Sequence, residues 1–219
     1  MQIMSTYVEF DLLFPGKNIT ILVDIKRGGK NLYKLVKTPE EEQLFNAIWT
    51  QAWLEKGFEL EFSTEVLGRC IVYDDEQAPV ATAEIKPYSP NKDFPINQLA
   101  PFAEHPAVIA EPGHVSEVDK VALLKEHRGK NLDRLLATIV FFSEEHEIRH
   151  LVALLDPLLS RALRISFHVP MSKVGTKFFY KGADVVPAII HVAEIYEHKE
   201  QFDWVMDNLK PSKLSVLST

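Results

Sequence analysis

Residues 125–136 read KEHRGKNLDRLL, a short basic stretch between the apolar run VDKVALL and the amphipathic stretch ATIVFFSEEHE. A strand that runs into a short loop and then a helix start points several backbone N–H groups at one place. The helix dipole favours an anion there, and a pyrophosphate fits such a cup. Arg128 and Lys130 add positive charge, and Gly129 permits a close backbone approach that a side chain would block. The same residue types also suit a solvated helix start whose cations are plain surface charge. A second stretch, HEIRH from His146 to His150, has the spacing with which two histidines one helical turn apart hold zinc beside a glutamate. Its context opposes zinc. HLVALLD reads as a strand, so the helix ends before His150, and Arg149 would stand beside the metal. Ser160, Ser166 and the single cysteine, Cys70, lack a G-x-S-x-G turn, which disfavours covalent catalysis. Asp74, Asp75 and Glu76 read as a solvated hairpin turn.

The elements that must position these residues follow from periodicity. YVEFDLLF and NITILVDIK alternate apolar with polar, as half-buried strands do, with turns at GKN and RGGKN. TPEEEQLFNAIWTQAWLEKG predicts a helix with Thr38 as N-cap, Pro39 at the first position and Gly57 as the stop. Its apolar face is Leu44, Phe45, Ile48 and Ala52. GRCIVYDD and APVATAEIKPY form a hairpin across the acidic turn, and the proline-rich stretch from Pro87 to His114 reads as a long mobile loop. HVSEVDKVALL is the next strand. Leu132, Leu135, Leu136, Ile139 and Val140 then follow the i, i+3, i+4, i+7 rule, giving a helix from Asn131 to about Glu145. HLVALLD is a short buried strand, Pro157 to Arg164 a short helix, and VGTKFFYKGADVVPAII two strands around a turn at Gly182. KEQFDWVMDNL is the closing helix. Mixed α/β is the class.

The chain has 219 residues, 46% of them apolar, which suits one large globular domain or two small ones. A net charge of -7 gives no general attraction to nucleic acid or to an anionic membrane, so any anion site is local. One cysteine allows no intrachain disulfide, and no stretch approaches 18 apolar residues or has a basic leader before it. The expectation is a cytoplasmic protein without membrane insertion.

The stretch VDKVALLKEHRGKNLDRLLATIVFF resembles the central motif of the GNAT acyltransferase superfamily, in which a strand precedes an Arg-Gly-x-Gly-x-Gly/Ala loop and a helix. Arg128, Gly129 and Lys130 match the opening of that loop, while Asn131 and Asp133 stand where the family has small residues. The C-terminal stretch LSRALRISFHVPMSKVGTKFFYKGADVVPAIIHV is similar to the autoinducer-synthase branch, whose other members are N-acyl amino acid synthases. Glu117-Val118-Asp119-Lys120 falls where acyl-homoserine-lactone synthases carry Glu-x-x-Arg. Lys120 keeps the cation but loses bidentate recognition. The resemblance runs in outline from about Leu44 to Val192, and is specific in motif over Ser116 to Leu136 and Val174 to Pro187.

The resemblance implies a GNAT-like fold, a mostly antiparallel twisted sheet flanked by helices, over residues 38–219, with residues 1–37 as an N-terminal β extension. It implies transfer of an acyl group from acetyl-CoA or a longer acyl-CoA, or from an acyl carrier protein, to the amine of a small molecule such as an amino acid. No metal takes part. The amine attacks the thioester directly, which needs a base, an anion cradle and a proton source for sulfur. Glu117 is the candidate base and Tyr180 the candidate acid. Ala122, Leu123, Leu124, Arg128, Gly129, Lys130 and Asn131 would hold the cofactor, and a backbone N–H near Ala122 and Leu123 would polarise the carbonyl. Lys120 and Trp53 would face the acceptor. For Glu117 a surface carboxylate paired with Lys120, and for Tyr180 and Trp53 core packing, are the plain alternatives. The altered loop also leaves open a non-catalytic GNAT-like ligand-binding or regulatory domain.

Overall fold

Apolar alternation along the first segments produces two strands, β1 (Ser5–Phe14) and β2 (Lys17–Lys26), paired antiparallel as a sheet of their own. The computed structural model describes residues 5–14, 17–26 and 31–209; the turns expected around 16 and 27–30 lie outside the described residues. Among the described residues, all other strands form one eight-stranded sheet. Its edge is β3 (Tyr33–Leu35), followed by the hairpin of β4 (Gly68–Tyr73) and β5 (Pro79–Pro87), which turns at Asp74 to Ala78.

Between β3 and β4 comes α1 (Pro39–Leu54), which starts as its sequence dictates. Thr38 Oγ1 accepts from the Glu41 amide at 3.2 Å while the Glu41 carboxylate accepts from the Thr38 amide at 3.2 Å, a reciprocal capping box behind Pro39. Leu44, Phe45, Ile48, Trp49 and Ala52 pack on Ile71, Tyr73, Ala122 and Leu124 of one sheet face. The other face is covered by α3 (Leu132–Glu145), α5 (Val192–Glu197) and α6 (Asp203–Leu209), whose Leu135, Phe142, Ile195 and Val205 bury Cys70, Val72 and Ala83.

The proline-rich segment is not a mobile loop. It holds three 3-10 turns and α2 (Pro106–Ala110), and its Ile96, Phe102 and Val108 are buried against Val115, Val152 and Ile189. Three buried apolar side chains six residues apart fit neither a helical nor a strand period, so their packing leaves no periodic signal. The closing helix also differs from expectation: α5 precedes it, and α6 begins only at Asp203.

The sheet order is β3-β4-β5-β6-β7-β10-β8, with β9 (Phe178–Tyr180) paired to β10 (Ala183–Ile190). Here β6 is Val115–Leu123, β7 is His150–Leu155 and β8 is Met171–Lys173, a short strand that periodicity does not predict. A short helix, α4 (Pro157–Ile165), follows β7, capped by Asp156. The central pair decides where the site lies. β6 and β7 are parallel neighbours only from Val115–His150 to Glu117–Val152, after which β6 continues with β5 and β7 with β10. The sheet therefore splits in a V at its centre.

Candidate active site

A cavity of about 770 Å³ occupies the split, within the size range of small-molecule sites. Its walls come from both sheet faces: Ala52 and Trp53 of α1, Val118 to Leu123 of β6, Leu132 and Leu135 of α3, and Leu159 and Ala162 of α4. Where β6 leaves β7, its backbone edge borders the cavity without a strand partner on that side among the described residues; the Lys120 amide and carbonyl are engaged by Asp119 Oδ1 and Thr82 Oγ1, and the other backbone groups of that edge face an extended ligand.

A β-bulge sets which β6 side chains face α1. Thr82 pairs Ala122 and Glu84 pairs Asp119, so one β5 residue faces two on β6, and Lys120 takes a left-handed φ of 45°. Its side chain is wholly buried: Nζ lies 2.5 Å from Glu84 Oε1, 2.6 Å from Ser63 Oγ and 5.2 Å from the Trp49 ring centre. Glu84, also fully buried, accepts from Arg69 Nε at 2.7 Å and from Ser63 Oγ at 2.5 Å. Lys120, expected to face the acceptor, lines the cavity while its ammonium is held in this internal ion pair.

Beside this buried pair lies a second, more open cluster. Lys86 Nζ is 2.6 Å from Glu117 Oε1 and 3.0 Å from Asp119 Oδ2, and all three line the cavity. Burial pushes the Glu117 carboxyl above its ordinary range despite the opposing Lys86 ammonium, and Asp119 beside it acts in the same direction as burial. Asp119 behaves oppositely. Burial would raise it, but Lys86, Lys120 and the Lys120 amide hold it below the usual range. One carboxylate is thus driven toward basicity and its neighbour held ionised, the separation that acid–base chemistry uses. Lys86 carries no motif signal, yet it is the partner of Glu117, a place the alternative reading gave to Lys120.

Tyr180, half-buried, lines the same cavity. Burial, then the charge of Asp119, raises its hydroxyl pKa, keeping it protonated at neutral pH. It sits where the β9–β10 turn meets residues 55–67, a strap that crosses from α1 to β4. The Glu59 amide donates to Lys181 O at 3.0 Å, Lys181 pairs with Glu61, and Gly182 approaches so closely that a Cβ there would lie 2.1 Å from Gly57 O. The strap brings Phe58 and Phe62 against Trp53 and Trp49, with ring centres 5.4 and 5.2 Å apart, and forms an aromatic wall.

Of the loop residues, Arg128 and Gly129 border the cavity. Gly129 has φ +87° with open space around its Cβ direction, and Arg128 Nη2 lies 3.2 Å from Glu55 Oε2. Three expected cofactor residues stand outside. Leu124 is buried under α1, Lys130 projects into solvent, and Asn131 is buried at the α3 start without a capping hydrogen bond. Asp133, which could have repelled an anion, faces away and accepts from Asn208 Nδ2 of α6 at 3.2 Å. His146 ends α3, with Nδ1 on Phe142 O, whereas His150 opens β7 with Nε2 on Glu111, so the HEIRH residues do not share a helix face.

No family model and no curated protein sequence matches the chain. Solved structures do. FeeM, an N-acyl amino acid synthase from uncultured soil microbes, superposes with a TM-score of 0.56 at 13% identity, covering 80% of this chain and 96% of FeeM. MesI, a CoA-dependent acyl-homoserine lactone synthase, gives 0.53 at 10% identity over 74% and 87% of the two chains. The AHL synthase LasI gives 0.50 at 15% identity over 77% and 94%. The chain has the GNAT-like acyltransferase fold, similar to that of the synthase branch that its motifs resemble.

Proposed function

We propose that the chain is an acyltransferase that moves an acyl group from acyl-CoA, or from an acyl carrier protein, to the amine of a small molecule, an amino acid being the leading candidate. The observation that carries this reading is the V between β6 and β7, which opens a cavity onto a free strand edge and brings Glu117, Tyr180 and Arg128 to its walls. The synthases FeeM and MesI, similar in fold, support the reaction class, and MesI supports CoA as the carrier of the donor.

In this reading the thioester lies along β6, its amides meeting the backbone beyond Glu117, with the pyrophosphate at Arg128 and Gly129. A phosphate there competes with Glu55 for the guanidinium. Glu117 takes a proton from the acceptor ammonium, which its raised pKa favours. The amine forms a C–N bond at the carbonyl carbon, and the β6 backbone steadies the oxyanion. The C–S bond breaks as Tyr180 gives its proton to the thiolate, and the extra proton on the new amide nitrogen is released to water, from which Tyr180 regains its own. Trp53 and Phe58 contribute apolar wall for the acyl chain or acceptor.

Calorimetric titration with acetyl-CoA and longer acyl-CoAs, followed by mass analysis of acylated amines, tests the proposal. Binding of at least one acyl-CoA together with an N-acylated product is expected. Absence of binding by every chain length, with no transfer from an acyl carrier protein, would sink it.

A further inference from the structure

Four polar side chains outside the cavity form a continuous chain at the other end of the sheet. Ser172 Oγ lies 2.8 Å from His191 Nε2, His191 Nδ1 is 3.2 Å from His150 Nδ1, and His150 Nε2 is 3.0 Å from Glu111 Oε2. They come from β8, the residue after β10, the first residue of β7, and the segment after α2. Leu155, at the cavity, is five residues along β7 from His150, about 17 Å of strand at roughly 3.3 Å per residue.

Donor and acceptor rules fix the direction of this chain. A carboxylate only accepts, so His150 Nε2 carries the hydrogen toward Glu111 and the neutral ring has a bare Nδ1. That bare nitrogen accepts, so His191 Nδ1 donates and its Nε2 is bare in turn. His191 Nε2 therefore accepts from the Ser172 hydroxyl. With both rings neutral and Glu111 ionised, no other assignment satisfies all three contacts. Ser172 thus stands to its base, and the base to its orienting groups, as activated serine nucleophiles do.

The surroundings keep the chain in that state. Arg149 holds Glu111 at 2.8 Å and Glu197 at 2.7 Å. Burial, and then the neighbouring His150, lowers the His191 pKa. Burial lowers that of His150 against the pull of Glu111, so both rings are neutral at pH 7. Among the described residues β8 is the last strand of the sheet. Val174 donates to Pro187 O and His191 to Pro170 O, which places residues 170 and 174 in the hydrogen-bonded pairs. By alternation the Lys173 amide points away from β10 to the open edge, beside Ser172.

We propose that Ser172 is a second nucleophile, separate from the cavity, that takes acyl or phosphonyl groups from small activated esters. Its Oγ forms a bond to the electrophilic carbon or phosphorus, and its proton passes to His191 Nε2. The leaving group departs with its bonding electron pair. His150 and Glu111 stabilise the imidazolium, which then gives up the proton to the leaving group or to water. The Lys173 amide is the adjacent backbone donor for the developing oxyanion.

The test is labelling of the intact folded chain with a fluorophosphonate probe, where fluoride is the leaving group, and mass mapping of the adduct. One adduct on Ser172 is expected, abolished in Ser172→Ala, with at least a tenfold slower rate in His191→Gln and a smaller loss in His150→Gln. Around His191 stand Ser172, His150, His105 and Glu194, and around His150 stand Glu111, Arg149 and Glu194. Labelling should therefore fall as pH drops below the ordinary histidine range while circular dichroism is unchanged. That profile needs only the wild type and serves if the histidine variants fail to fold. An unlabelled Ser172 in the folded wild type, or a rate independent of both His191 and pH, overturns the proposal. Acyl transfer at the cavity should be the same in Ser172→Ala, so the two proposals fail independently.

Discussion

Glu84 sits at the centre of the α1-facing sheet surface with no exposure to solvent, and three donors reach it: Arg69, Lys120 and Ser63. Breaking a buried pair by removing one partner leaves an uncompensated charge, which costs more than the pair contributes in place. Lys120→Met should therefore lower unfolding free energy by about 3–5 kcal/mol, read by urea denaturation, and adding Glu84→Gln should recover part of that loss. A single variant within half a kcal/mol of wild type would show that Arg69 alone satisfies Glu84. The neighbouring Glu117 belongs to catalysis in the proposed function. Glu117→Gln should lower kcat by about 10²- to 10⁴-fold with acyl-CoA affinity little changed, whereas Arg128→Ala should weaken CoA binding with a smaller effect on turnover. Equal effects on both quantities would undo the separate roles. Because burial raises Glu117 and Lys86 opposes that rise, the acid limb of kcat/KM should lie above the ordinary carboxylate range. Lys86→Met should move it to higher pH.

At the scale of elements, the strap and the β9–β10 turn hold each other. Gly182 has φ +90°, and a methyl there would lie 2.1 Å from the Gly57 carbonyl oxygen, a backbone atom that cannot swing aside. Gly182→Ala adds a clash to strain of about 1–3 kcal/mol, and it should displace residues 57–63 with their aromatic wall. A lower thermal midpoint together with weaker acyl-CoA binding is the expected pair of outcomes. Gly129→Ala meets nothing within 4 Å, so only φ strain of about 1–2 kcal/mol applies. A Gly182→Ala chain that melts and binds like wild type would show that the strap does not shape the cavity. The same elements show what a sequence can carry. α1 and α3 are legible because caps and a 3.6-residue period are local properties. The bulge at Lys120, the strap and β8 are not, since each depends on which distant residue lies opposite. Asp133 makes the point at one position: its distance along the chain from Gly129 suggests a clash with an anion, but α6 supplies Asn208 on the far side.

Across the whole molecule, acidity should loosen the end of the sheet opposite the cavity first. His105, His150 and His191 all have pKa values below the ordinary histidine value of 6.5, chiefly through burial, with His191 adding to the effect at His105 and His150 at His191. Each ring is neutral in the folded chain and takes up a proton on unfolding at mildly acidic pH, so the unfolded state binds more protons and stability rises with pH in that window. The histidine contribution is fully present above pH 6.5 and is lost as pH falls through the depressed folded values. Glu111, Asp119 and Asp156 are held below their ordinary values, so their contribution persists through this window and disappears only at lower pH. Glu117 is raised and has the opposite sign: its contribution is present below the ordinary glutamate value and lost as pH climbs through the folded one. Urea midpoints measured at pH 7.5, 6.5 and 5.5 should therefore fall toward acid, and His191→Gln should flatten that slope by removing one titrating ring and the charge it would present to its two histidine neighbours. Midpoints that stay level from 7.5 to 5.5 would mean that the three rings titrate alike in the folded and unfolded chains, and the packing of the β7 and β10 ends would then be too loose to hold them neutral.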